Sequence, residues 1–172
     1  QRCLQRGQRA QDSVGFDVVT AAAMRRTMDA SRTLRRAAAP VLTELSRLIA
    51  PTRYFSILTD SQGIVVAVGG EPDFDQAPVQ AIARIGVDLS ERSVGTTAIS
   101  AALTELHPVW LHRGEHFFDA TSVYSCAGAP IFGPNGRCAG MLDLTGVQAQ
   151  ERPELRHLAA QGDRGAQLAL AL

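Results

Sequence analysis

"GAPIFGPNGRCAGMLDLTG", Gly128 to Gly146, decides the fold. Two largely apolar runs flank Gly133-Pro134-Asn135-Gly136, which has proline at the second turn position and glycine at its end. The stretch reads as strand, turn, strand. "YFSILTDSQGIVVAVGG", Tyr54 to Gly70, repeats the plan: Asp60-Ser61-Gln62-Gly63 reverses the chain, with Gly63 at the position that favours positive φ. Two such hairpins predict an antiparallel sheet.

Outward from the hairpins, helices are predicted over 77–85 and 98–106, with a short strand at "PVWLH", residues 108–112. Residues 18–50 are rich in Ala, Leu, Met and Arg, all good helix formers. Leu34, Val41, Leu45, Leu48 and Ile49 recur there at helical spacing. Pro40 is expected to begin a new helix or kink one, because it lacks an N–H and crowds the preceding turn; Pro51 ends the run. Gln1 to Gly15 is polar and turn-rich and is expected to be loosely ordered. The tail from Arg152 is helical in character, weakened by Gly162 and Gly165. Helix, two strands, helices, strand, loop, two strands and helix make an α+β protein, an antiparallel sheet with helices packed against it.

The chain of 172 residues has the length of one domain. Its 17 basic residues, all Arg, balance 17 acidic ones, so no global field favours nucleic acid or an anionic membrane. Cys3, Cys126 and Cys138 form no C-x-x-C and suggest neither a disulfide framework nor a zinc ribbon. No run approaches the roughly 18 apolar residues of a membrane span. A cytoplasmic location is therefore expected, with reduced thiols. A chain that begins with Gln1 and ends inside an apparently helical run is expected to be a piece of a longer protein.

His112, Glu115 and His116 fit H-x-x-E-H, the pattern of the inverted zinc peptidases. That motif needs one helix to present both histidines a turn apart. Here a proline-containing strand leads in and Gly114 interrupts, so zinc hydrolysis is set aside. A sensory metal or haem site using His112, His116 and Cys126 stays open, since a loop and a strand can converge. Cys126 as a nucleophile would need a lowered thiol pKa, for which His116 is the available partner; the alternative is a small apolar residue facing core or cavity. "SERSVGTTAISAAL", Ser90 to Leu103, is a helix start: Ser93 or Thr96 is a candidate cap, and Gly95 permits close approach. The free N–H groups there suit a carbonyl, carboxylate or phosphate, or simply an ordinary cap.

Together these stretches resemble the GAF sensory domain of sigma-54-dependent, enhancer-binding transcriptional regulators, and within it the acetoin-catabolism group. The likeness rests on Glu91, Val94, Gly95, Thr96, Ala98, Ile99, Ala102 and Leu103, then on Glu115-His116-Phe117. Cys126, Ala129-Pro130-Ile131, Gly136 and Leu142-Asp143-Leu144 continue it, and "RCLQRG" from Arg2 resembles the segment that precedes the domain. Departures are Leu89 for a usual Trp, Thr97 for Asn, Ser100 for Gly and Gly128 for Ala.

The resemblance implies a GAF-like twisted antiparallel sheet with N- and C-terminal helices on one face and a ligand pocket on the other. It implies an N-terminal segment and helix over 1–50, for dimerisation or signalling, followed by a sensory domain over 51–172. The expected role is to bind a small effector and to control a downstream ATPase with a helix-turn-helix behind it. The chain itself contains no G-x-x-x-x-G-K-[ST]. The pocket residues expected are Thr96, Thr97, Ile99, Trp110, His116, Phe117, Tyr124 and Cys126, with Thr97 and Ser100 facing it. No catalytic residue, resident metal or cofactor is expected, nor direct nucleic-acid or membrane contact. A homodimer is expected through the stripes Leu34 to Ile49 and Leu155 to Leu172. The alternatives are the metal or haem sensor, a thiol redox enzyme of the GAF-type methionine sulfoxide reductase kind using Cys126 and Cys138, and a domain that only dimerises.

Overall fold

A computed structural model describes residues 1–171. Its five strands are β1 (Tyr54–Asp60), β2 (Val65–Gly69), β3 (Val109–His112), β4 (Tyr124–Phe132) and β5 (Cys138–Val147). They form one sheet in the order β2-β1-β5-β4-β3, with every neighbour antiparallel. Both predicted hairpins form, and β5 joins them by pairing with β1 as well as β4. The alternation of the strands divides the core in two. Leu142 and Leu144 of β5, with Ala127, Ala129 and Ile131 of β4, face one layer. Met141 and Val147, with Tyr124 and Cys126, face the other.

The first layer is α3 (Arg32–Ile49) and α7 (Leu155–Leu170), which pack on each other and on the sheet. Leu34, Ala38, Leu42, Leu45 and Ile49 form the buried stripe of α3. α2 (Ala21–Ala30) precedes it. The break in the N-terminal run falls at Ser31, whereas Pro40 lies inside α3 without ending it. Pro40 and Arg36 are both exposed, so the Arg36 carbonyl that loses its N–H partner is open to water, while the buried stripe holds the helix together. The stripe expected to serve a dimer thus covers its own sheet and leaves only Leu48, at 56% exposure, clearly outward. Leu172, the end of the second stripe, lies outside the described residues.

The second layer is short: α4 (Ala77–Ile82), α5 (Glu91–Val94), α6 (Ala98–Glu105) and loops. α4 stops before the expected Ile85, because Gly86 and Val87 bond instead to Val65 of β2. The N-terminal segment is ordered, contrary to expectation. Residues Arg2–Gln5 form the single-turn α1, with Cys3 fully buried. Arg2 reaches Glu91 at 3.0 Å and Glu105 at 2.7 Å, and Arg6 reaches Glu91 at 3.3 Å. Asp119 N–H donates to the Ala10 carbonyl, and Val18 bridges to Val87. The segment straps across the second layer. Among the described residues no helix is long and apolar enough to cross a membrane.

Candidate functional site

α6 starts at Thr97, whose hydroxyl accepts the Ser100 N–H while the Ser100 hydroxyl accepts the Thr97 N–H. This reciprocal cap belongs to Thr97 rather than to Ser93 or Thr96. Thr96 turns away instead, donating to Glu91 Oε1 at 3.0 Å and meeting Cys3 Sγ at 3.3 Å. Two glycines let the helix start settle on the sheet. A Cβ on Gly128 would lie 2.8 Å from the Ala98 carbonyl oxygen, and one on Gly95 would lie 2.6 Å from the Phe118 ring.

β3 is read by its period of two. Val109 and Leu111 turn toward the second layer, while Trp110 packs with the first. His112 stacks on Trp110, with ring centroids 6.2 Å apart, and its Nδ1 lies 2.7 Å from Ser125 Oγ. The expected placement of Trp110 in the pocket is therefore wrong by one face of the sheet. The same alternation separates His112 from Cys126, so His112, His116 and Cys126 do not converge. Among the described residues no group of His, Cys, Asp or Glu has a metal-holding arrangement.

Past β3 a single 3-10 turn, Arg113–Glu115, carries the chain inward. His116 follows it and is 4% exposed. Its Nδ1 is 2.8 Å from the Arg113 carbonyl oxygen, and its Nε2 is buried without a partner. Burial holds the imidazole pKa below its ordinary value. Phe117 lies outside the hollow and meets Phe118 edge-on; Phe118 is the buried ring, filling the space beneath Gly95.

Between α6 and the sheet lies an internal hollow. Thr97, Ile99, His116, Tyr124 and Cys126 of the expected set line it; Thr96, Trp110 and Phe117 do not. Ser100 is turned into the cap rather than the hollow. Sequence reasoning missed Phe16, Ile82, Leu89, Val94, Thr121 and Thr145. Thr145 had a legible signal, since it opposes Cys126 across the β4–β5 pair. Phe16 had none, because it arrives on the strap, where its ring meets Tyr124 edge-on at 6.2 Å. The hollow measures about 20 Å³, room for about one water molecule. A wider groove of about 600 Å³ lies between α3 and the β2 edge, but it is open to solvent and encloses nothing.

Most polar groups around the hollow are committed. Tyr124 O–H donates to the Pro78 carbonyl at 2.9 Å, and Thr121 O–H to the Phe118 carbonyl at 2.8 Å. Thr145 O–H donates to Asp143, which is fully buried on the same strand and whose Oδ1 has no partner. Burial pushes the Asp143 carboxyl up to about 7. Burial, reinforced by Asp143, also pushes the Cys126 thiol well up, the opposite of an activated nucleophile. Cys138 opposes Phe132 at the far end of the hairpin, six residues along β4 from Cys126, or about 20 Å. Among the described residues Cys126 and Cys138 therefore form no pair for a redox cycle, and neither that alternative nor the metal site gains support.

An antiparallel five-stranded sheet in the order β2-β1-β5-β4-β3 with helical layers on both faces is a GAF-type fold. The chain belongs to the MimR N-terminal domain family, which it matches over residues 3–168. It is 32% identical over 121 residues to the acetoin catabolism regulatory protein of Cupriavidus necator, covering 70% of this chain and 18% of that one. It is 30% identical over 136 residues to MimR of Mycolicibacterium smegmatis, the activator of a propane 2-monooxygenase operon, covering 78% and 23%. The chain therefore spans about a fifth of the length of these relatives. The resemblance to acetoin-type regulators stands.

Solved structures repeat the fold. The N-terminal part of Escherichia coli DhaR, crystallised with DhaL, superposes with a TM-score of 0.89 at 18% identity, covering 99% of this chain and 57% of that one. A GAF domain region from Geobacter sulfurreducens gives 0.50 at 15%, covering 88% and 100%. The free methionine-R-sulfoxide reductase of Neisseria meningitidis gives 0.51 at 15%, covering 92% and 95%. At these identities the likeness is one of fold.

Proposed function

We propose that this domain senses a small neutral effector in the hollow beneath α6 and passes the result to an output segment of a bacterial transcriptional activator, in the cytoplasm. The observation that carries the reading is the enclosed, largely apolar site with a buried, unpartnered His116 Nε2. A buried polar atom with no protein partner is costly to a fold and calls for a partner from outside the chain. No arginine lines the hollow, which argues for a neutral ligand. The output is taken to be an ATPase and a helix-turn-helix, by analogy with the longer relatives. An effector shifts such a regulator only by its differential affinity for two states, typically about 1–3 kcal/mol. A homodimer through the outer sides of α3 and α7 belongs to this reading, using Leu48 and the 71% exposed Leu168. A light-scattering mass of one chain at micromolar concentration contradicts that part.

The test is thermal melting with a panel of small ketones, diols and alcohols. At least one is expected to raise Tm, and His116→Ala or Thr97→Val is expected to remove the rise. A flat panel supports the second reading, a domain that only dimerises, which draws its support from the small volume of the hollow.

A further inference from the structure

Resting on the sensor reading, the geometry points to an effector that donates a hydrogen bond to His116 Nε2: a small, mainly apolar molecule with a hydroxyl group. A carbonyl-only compound or a carboxylate does not meet this requirement. The deciding feature is the tautomer. Nδ1 lies 2.8 Å from the Arg113 carbonyl oxygen, which only accepts, so Nδ1 carries the ring proton. A neutral imidazole with its proton on Nδ1 offers a bare lone pair at Nε2, and that lone pair is buried and has no protein donor. The ring lines the hollow.

The neighbours narrow the class further. The Tyr124, Thr121 and Thr145 hydroxyls each donate to protein oxygens, and Thr97 Oγ1 accepts the helix cap bond. His116 Nε2 is the unpartnered polar atom among the described residues that line the hollow. A ketone presents an oxygen lone pair to this nitrogen and leaves it unpaired. A carboxylate adds a charge with no lining cation to receive it, and an ammonium ion would have to shed its water among Ile82, Leu89, Val94 and Ile99. An alcohol supplies the missing proton and an apolar stem that matches the walls, which have to part to admit it because the hollow measures about 20 Å³. A site that hydrogen-bonds a ligand hydroxyl discriminates strongly against the analogue that lacks it, because its own polar atom is left unpaired.

The experiment compares 2-butanol with 2-butanone, which share a carbon skeleton, on the 172-residue protein. Calorimetry is expected to show the alcohol bound at least about tenfold more tightly. Nitrogen-15 spectra are expected to show the His116 Nε2 resonance moving on addition of 2-butanol and holding still with 2-butanone. His116→Phe, which keeps a ring, is expected to bring the two affinities together. The spectra of the unaltered protein decide the matter if that variant does not fold. Equal or tighter binding of the ketone with Nε2 unmoved overturns this inference and leaves the sensor reading standing. So does a ligand from the melting panel that lacks a hydroxyl when no alcohol binds. Failure of both butyl compounds and of the whole panel overturns the sensor reading, and this inference with it.

Discussion

Asp143→Asn is expected to raise stability at pH 8 by a few kcal/mol while leaving stability at pH 4 nearly unchanged. Asp143 is fully buried on central β5, and burial lifts its pKa from the ordinary 3.8 to about 7. Between those values the folded chain keeps the proton and the unfolded chain releases it. Folding stability therefore falls as pH rises across that window. Above about 7 the folded state holds a buried carboxylate at a steady penalty on the order of 4 kcal/mol. Asparagine keeps the shape and still bonds Thr145 without ever charging.

Other shifted groups shape the profile but remain in both proteins, Asp60, Glu91, Asp163 and His116 among them. Asp163 of α7, raised to about 6 by burial, acts in the same direction. His116, lowered by burial, acts oppositely: its contribution is lost as pH falls below the ordinary histidine value of 6.5. The difference between the two urea-derived stability curves isolates Asp143. Parallel curves from pH 4 to pH 8 contradict the account.

The second large effect lies on the other face of the same strand. Leu142→Ala is expected to cost about 2–5 kcal/mol, toward the upper end. Leu142 is 1% exposed in the core that α3 and α7 close over the sheet. A Cβ on Gly162 of α7 would already lie 2.7 Å from Leu142 Cδ2 and 2.8 Å from Leu45 Cδ1, so the helix is near its closest approach. The void left by the leucine cannot close by further sliding, which is what makes such cavities expensive. Leu48→Ala, on the exposed side of α3, is expected to change stability by less than about 0.5 kcal/mol. Urea midpoints at constant slope measure both; a small loss at Leu142 would mean that the first layer is loosely packed.

Gly162 also shows what a sequence hides. Read along the chain it weakens a helix, yet in the fold it is the contact that seats α7 on Leu142 and Leu45. The hairpins were legible because turn chemistry and alternation are local. Five of the eight expected pocket residues line the hollow: Thr97, Ile99 and His116 belong to the helix start and the turn before His116, and Tyr124 and Cys126 share one face of β4. Trp110 was misplaced because a one-residue difference in strand phase exchanges the two faces, and "PVWLH" alone does not fix the phase. Pro40 begins no new helix but lies inside α3, where packing of the buried stripe outweighs its local preference. The strap was least legible. Cys3, Arg2 and Arg6 acquire meaning only against Thr96 and Glu91, some 90 residues away, and nothing near Phe16 announces that it closes a hollow.

The location of the effector is the claim on which the functional reading stands. Amide chemical-shift mapping, with the panel compound that raises Tm most, tests it directly. The largest shifts are expected at Val94, Thr97, His116, Thr121 and Thr145, around the hollow. Shifts confined to Leu42, Ser46, Gly69 and Glu71, in the open groove beside α3, with the residues around His116 unmoved, would contradict it.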